Sequence, residues 1–419
     1  MSHCYIQLLQ IIVLTISMGH SQVISGGKID ENFKQSQNVW QYVKEATSQV
    51  DEVLGQWQEA LTPQTIQLTT VGDIMMHEPQ ITSGYDPKTK TYAYDYMFKE
   101  VAPYLKAADL TIGNLELTLS GKDKKYTGYP RFNAPDELAD ALKDVGFDVL
   151  TTANNHSLDR DFEGLKRTID VLEQRGLQCT GTYQTKESSE TILIQEVKGS
   201  KIAFLAYTYG TNGIKVSKGK EYSINYINKE KIAADIKKAR DLKAELVCIS
   251  IHFGVEYAKT PNKAQKEMVN FLVENDADVI LGSHPHVLEP MEIRKTQMNG
   301  RSKEVVILYS QGNFISGQRS RYKETSAIFN IILNKAPLTG ELSIKEVTYI
   351  PTWVDYSRVK GKYHYRILPA KRAVHLYEAG QDPLISSSDY EKLKIALKDV
   401  RSMFKSDDKR IVEQQTFIN

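Results

Sequence analysis

Cysteine is scarce: three residues (Cys4, Cys179, Cys248) among 419 cannot build a disulfide framework, and no Cys-x-x-Cys pair offers a zinc knuckle or dithiol redox site. Cys179 and Cys248 follow apolar runs and read as inert, buried thiols. Proline is sparse as well, at 13 residues, and with 41% hydrophobic and 25% charged residues the chain is neither disordered nor fibrous. An excess of either charge is missing, since 53 Lys+Arg against 52 Asp+Glu leave +1. That balance gives no global reason to expect nucleic acid or an anionic membrane surface as the main partner. Internal repeats, low-complexity tracts and long linkers are lacking, so the fold must stand on its own core or on a site built from ligands other than cysteine.

Also absent is an apolar run of the roughly 20 residues that a spanning helix needs. Residues 5–18 are nonetheless apolar apart from two glutamines and small hydroxyls, and polar residues follow. This predicts a signal or membrane-anchor segment over 1–27, and with it an exported, membrane-anchored or cell-surface location. No Lys or Arg precedes the run, which keeps a packed helix as the alternative, and Cys4 lies on the wrong side of it for a lipoprotein attachment. Next, Trp40, Val43, Thr47, Val50, Leu54, Trp57 and Leu61 alternate spacings of three and four along one helix face. They predict a helical stalk over 28–62, ended by Pro63, that packs on the body or dimerises.

From residue 66 the pattern changes. β-rich runs at 66–71, 108–112, 147–152, 201–207, 245–251, 278–281 and 305–309 alternate with helical stretches at 135–145, 162–175, 229–242 and 261–274. Such alternation predicts an α/β body with parallel pairing. The runs at 327–333 and 342–349 follow one another without a helix, which adds a mixed or second sheet. The body is placed at 63–360, with a C-terminal tail at 361–419 carrying a helix over 390–404.

Several strand ends run straight into ligand-capable residues: Gly72-Asp73, Gly113-Asn114-Leu115-Glu116, Asn154-Asn155-His156, His252-Phe253-Gly254 and Gly282-Ser283-His284-Pro285-His286. Loops beyond the carboxyl ends of parallel strands gather in one crevice, so residues distant in sequence can meet there. Five of the nine histidines (His77, His156, His252, His284, His286) lie in or beside these turns. Singly, each signal is weak: a strand-end Asp is usually a cap or turn, and a lone His is usually a satisfied core residue. Together, carboxylate, amide and imidazole donors suit Mn, Fe or Zn better than Mg or Ca, and six ligands suit two ions sharing a carboxylate. In His284-Pro285-His286 the proline keeps His284 out of the helical region, and alternate side chains of an extended segment share a face.

Taken with Tyr309-Ser-Gln-Gly312-Asn313-Phe314, these motifs resemble the CapA family, the poly-γ-glutamate capsule biosynthesis proteins of the calcineurin-like metallophosphoesterase superfamily, over roughly residues 66–354. The resemblance implies a four-layer α/β/β/α sandwich of two mixed sheets flanked by helices, holding two divalent transition-metal ions (Mn, Fe or Zn). It implies that Asp73 and His286 hold one ion, that Asn155, His252 and His284 hold the other, that Glu116 bridges them, and that His156 is the general acid. Three departures stand out. Met75 occupies the position where the superfamily's Asp-x-His motif has histidine, leaving the role of His77 open; Glu116 replaces the usual bridging aspartate; and no acidic residue directly follows His156, although Asp159 is available to orient it. The implied function is a component of poly-γ-glutamate capsule production or export, working with membrane-embedded synthesis subunits, either as a metal-dependent hydrolase of a phosphoester or polymer amide or as a non-catalytic assembly subunit. A soluble phosphodiesterase is the third reading. Lys122, Lys124, Lys125 and Arg131 cluster after Glu116 and offer a contact to a polyanion such as poly-γ-glutamate, but a solvated loop is the reading favoured for such a charge run.

Overall fold

The computed structural model describes residues 41, 44, 45, 47, 48, 51, 52, 61–298, 300–359 and 361–415. The expected signal or anchor segment and most of the stalk face lie outside the described residues. The chain divides into two compact units, residues 1–64 with 337–339, and residues 65–336 with 340–419. In the first unit the described residues up to Glu52 are helical and exposed. No helix among the described residues is long and apolar enough to cross a membrane.

The larger sheet of the second unit runs in the order β16 (Lys362–Pro369), β15 (Leu342–Val359), β14 (Thr325–Lys335), β1 (Gln64–Ile74), β4 (Leu110–Leu115), β5 (Val149–Thr151), β6 (Gln178–Thr180). In addition β13 (Asn313–Ile315) pairs with β1, and β17 (Ile411–Glu413) pairs with β15. The smaller sheet runs β11 (Met291–Met298), β12 (Arg301–Leu308), β10 (Val279–Ser283), β9 (Leu246–His252), β8 (Ser200–Thr208), β7 (Leu193–Val197). A short ribbon joins β2 (Tyr85–Asp86) to β3 (Thr91–Tyr92). Both large sheets are mixed: β1, β4, β5 and β6 run parallel while β14, β15 and β16 are antiparallel, and β8, β9, β10 and β12 run parallel with antiparallel β7 and β11 at the edges.

The period of two in the strands builds the layers. In β9, Leu246 and Cys248 face the core between the sheets, while Val247, Ile249 and Ile251 face a second core. That outer core is closed by Ile232 and Ile236 of α3 (Lys229–Asp241) and by Val269, Leu272 and Val273 of α4 (Lys263–Glu274). On the larger sheet, Ile66 and Leu68 of β1 and Phe329 of β14 join the inter-sheet core. Val71, Ile74 and Leu150 instead meet α1 (Glu137–Asp144), through Leu138 and Leu142, and α2 (Asp161–Gln174), through Val171 and Leu172. The architecture is the expected four-layer α/β/β/α sandwich.

Residues 362–413 carry two strands and two helices that pack with the rest of the second unit. β15 and β16 form a hairpin, pairing from Thr352↔Pro369 to Val359↔Lys362. Trp353 and Leu368 of that hairpin then pack against α5 (Ala370–Glu378) and α6 (Ser387–Met403). The predicted terminal helix is thus an integral layer of the body, because the hairpin's apolar face is covered by it. Cys179 is half-buried and Cys248 buried, both unbridged.

Candidate metal centre

The predicted strand-end residues converge. Asp73 closes β1, Glu116 follows β4, Asn155 and His156 follow β5, His252 closes β9, and His284 and His286 follow β10; all seven are buried. Two close backbone approaches make the convergence possible. A Cβ on Gly72 would lie 1.9 Å from the Gly312 carbonyl oxygen, and one on Gly282 would lie 1.9 Å from that of Tyr309. Glycine at these positions lets Asp73 N–H donate to the Gly312 carbonyl just before β13 (2.9 Å), and lets the turn into His284 lie against β12's end.

Three groups of carboxylates and imidazoles offer ligand atoms within 4.8 Å of one another: Asp73 with Glu116 and His286, Glu116 with His252 and His284, and Glu256 with His284 and His286. Glu116 is common to the first two. Its Oε1 lies 3.6 Å from His252 Nε2 and 3.7 Å from His286 Nε2, and neither of its oxygens has a hydrogen-bond partner. Burial, then the Asp73 carboxylate, pushes the Glu116 carboxyl well above the ordinary range. Burial, then His284, pushes His252 well below its ordinary value, and burial, then His286, lowers His284 to about 4. A buried carboxylate without a donor, facing neutral imidazoles, lacks a positive charge. A divalent cation would supply it, and the mixed nitrogen and oxygen donor set suits a borderline transition ion. The residues present therefore fit the metal pair that the resemblance implies.

Surrounding groups fix each donor. Asn114 Nδ2 donates to Asp73 Oδ1 (2.8 Å), as their pairing across β1 and β4 requires. His286 Nδ1 lies 3.1 Å from both Asp73 Oδ2 and Asn313 Oδ1, turning Nε2 toward Glu116. His252 Nδ1 meets the Ser283 hydroxyl at 2.9 Å, and its Nε2 lies 2.8 Å from Asn155 Oδ1. Asn155 keeps that orientation because its Nδ2 donates to Asn212 Oδ1 (3.1 Å). His284 has an unpartnered Nδ1, packs 4.6 Å from the Tyr209 ring, and sits at φ +98°, a strained backbone typical of functional turns.

His156 donates from Nδ1 to Asp159 Oδ2 at 2.7 Å, and Phe132 N–H donates to the same oxygen at 2.6 Å. The turn holding them is tied by Asn154, whose Nδ2 reaches the Leu115 carbonyl (2.8 Å) while its Oδ1 accepts from His156 N–H (3.1 Å). Arg131 is exposed, as are Lys122, Lys124 and Lys125, and it also donates from Nε to the Asp159 carbonyl at 2.7 Å. His77 joins none of the three groups: its Nδ1 accepts from Gly317 N–H (3.1 Å), and burial, then His286, lowers it to about 4. Met75 is packed in the helix-facing core. Sequence reasoning assigned no role to Asn114, Ser283, Asn313 or Glu256; the Gly-Asn-Leu-Glu and Gly-Asn-Phe motifs were the signal for the two asparagines.

Fold and site together define an α/β/β/α sandwich with a carboxylate and imidazole centre at its strand ends. The family described as Bacterial capsule synthesis protein PGA_cap matches residues 67–318, and the chain belongs to it. It is 33% identical over 271 residues to the capsule biosynthesis protein CapA of Bacillus anthracis, covering 62% of each chain, so it spans less than two thirds of that relative. It is 32% identical over 299 residues to the PGA biosynthesis protein CapA of Bacillus subtilis (strain 168), covering 69% of this chain and 74% of the relative. Among solved structures it is similar to the calcineurin-like phosphoesterase YfkN of Bacillus subtilis, at TM-score 0.41 and 13% identity over 81% of this chain and 98% of that one.

Proposed function

We propose that the chain is a cell-envelope component of poly-γ-glutamate capsule production, and that its centre is a dinuclear hydrolytic site acting on a phosphoester or an amide of the polymer. The observation that carries the hydrolytic part is Glu116, a fully buried carboxylate shared by two ligand groups, with neither oxygen hydrogen-bonded. In this reading Asp73, Glu116 and His286 hold one divalent ion, and Glu116, Asn155, His252 and His284 hold the other. Such ions, when bound, polarise a phosphoryl or carbonyl oxygen and make water nucleophilic at neutral pH. Asp159 would hold His156 with a proton on Nδ1, leaving Nε2 as the atom that would pass a proton to a leaving oxygen. Asn114, Ser283 and Asn313 keep the donors from rotating away.

Family membership and the names of both relatives support the capsule context, and the PGA in the family's description and in the name of the Bacillus subtilis relative supports poly-γ-glutamate as the polymer. Membrane-embedded synthesis subunits are the partners this role requires, and no nucleic acid enters it. The test is purification of the full chain, metal analysis, and assay against a synthetic phosphodiester and against γ-linked glutamate polymer. Bound metal with turnover of either, lost in His156→Ala while metal is retained, upholds the reading. Fully loaded protein that turns over neither leaves the non-catalytic assembly role.

A further inference from the structure

Two lysines in the loops around residues 257 and 322, Lys259 and Lys323, make no ion pair among the described residues. Lys323 Nζ stands 4.1 Å from the centroid of the Tyr257 ring, and Lys259 Nζ stands 4.2 Å from that of Tyr322. Among the described residues neither lysine makes an ion pair, whereas Arg321, also over Tyr322 at 4.8 Å, is committed to Asp399 through bonds of 2.7 and 3.0 Å. An aromatic face holds a cation through its quadrupole and leaves its N–H donors unused. The charge is fixed in place without being cancelled.

The platforms are tied to the centre. Tyr257 N–H donates to the carbonyl of Pro285, between the two histidines, at 2.7 Å, and the Tyr257 ring lies 6.2 Å from that of His286. The Lys323 carbonyl accepts from Asn313 Nδ2 at 3.1 Å, and Asn313 Oδ1 is the group 3.1 Å from His286 Nδ1. Both tyrosines adopt left-handed backbone, φ +67° at Tyr257 and φ +76° at Tyr322, as does Ser320 at φ +133°. Three strained non-glycine residues in two adjoining loops mark positions that the surrounding structure holds against local preference.

We propose that Lys323 and Lys259 form an anion-recognising subsite that seats charges of an extended polyanionic chain next to the linkage presented to the centre. Two cations on separate platforms match a repeating charge better than a single anion. The inference rests on the centre being the working site and deepens that reading by assigning the charge of what it takes. Carboxylate and phosphate chains share this chemistry, and the glutamate polymer is the source favoured by the capsule context.

The test titrates the full chain with a labelled glutamate oligomer and, in a second arm, with inorganic polyphosphate, while metal content is measured on every sample. The double variant Lys259→Gln/Lys323→Gln is expected to bind the glutamate oligomer about tenfold more weakly at low salt. Lys323→Arg should retain wild-type affinity, and Lys345→Gln, the same charge change on exposed β15, should do so too. Unchanged affinity in the double variant, no binding of either chain by the wild type, or binding of polyphosphate alone overturns the proposal. Lysine-dependent oligomer binding by protein that holds no metal upholds the subsite and refutes the metal reading. Metal-loaded protein whose oligomer binding ignores the lysines does the reverse.

Discussion

Replacing Glu116 by glutamine should move stability in opposite directions with and without metal. In the metal-free chain the Glu116 side chain is fully buried with both oxygens unpartnered, and leaving a polar group in that state costs about 1–3 kcal/mol, more when it is charged. Glutamine keeps the length and volume, removes the charge, and brings an N–H donor toward the imidazole nitrogens of His252 and His286, now 3.6 and 3.7 Å from Oε1. Metal-free Glu116→Gln should therefore be more stable than metal-free wild type by on the order of 1–3 kcal/mol. With metal at a hundredfold its dissociation constant, wild type gains about 2.7 kcal/mol, whereas the variant has lost the shared ligand and gains much less. At about 2–4 °C per kcal/mol for a body of this size, calorimetry in chelator and in excess Mn or Zn resolves both effects. A variant less stable than wild type in chelator, yet with an undiminished metal-induced rise in Tm, would refute the reasoning.

Asp159→Asn should lower turnover by about 10²–10⁴ with metal content and KM unchanged, because the carboxylate orients His156, while its bond from Phe132 N–H is one that an asparagine oxygen also accepts; loss of metal in this variant would contradict it. Burial raises Glu289 to about 7 against its ordinary 4.5, opposed by the hydrogen bond from Gln265. The folded chain thus keeps a proton that the unfolded chain releases, so this contribution to stability is complete below about pH 4.5 and is lost as pH rises through about 7. Glu289→Gln should remove up to about 3 kcal/mol of destabilisation at pH 8 relative to pH 5, read by urea unfolding at both values; parallel pH slopes in variant and wild type would count against it. Phe329→Ala, at a fully buried position between the sheets and 5.4 Å from the Phe404 ring, should cost about 3–5 kcal/mol in the same assay. A loss under about 1 kcal/mol would mean that the inter-sheet core is not closely packed there.

Most of the sandwich was legible because its parallel strands are short apolar runs ending in Gly, Asp, Asn or His. Val279-Ile-Leu-Gly-Ser before His284-Pro285-His286 is the clearest case. The second half of β15 and all of β16 were not legible. Their alternation mixes Tyr356, Arg358, Tyr363, Tyr365 and Arg366 with apolar residues, and it becomes a buried hairpin only because α5 and α6 cover one face. The donors around the centre were readable as residue types at strand ends, but their supports were not. Ser283 faces His252 through the pairing of β9 with β10, and Asn313 reaches His286 through the parallel pairing of β13 with β1. These are facts of strand register, which a single sequence leaves open. His77, whose role the sequence left open, joins none of the three donor groups, and the Gly317 N–H occupies its Nδ1.

An anomalous-difference map from crystals of the purified full chain, collected at the absorption edge of whichever metal elemental analysis finds, addresses the centre directly. Two peaks are expected, one among Asp73, Glu116 and His286 and one among Glu116, Asn155, His252 and His284. Metal-free crystals grown with excess Mn or Zn present, or peaks that leave Glu116 unliganded, would contradict the dinuclear centre.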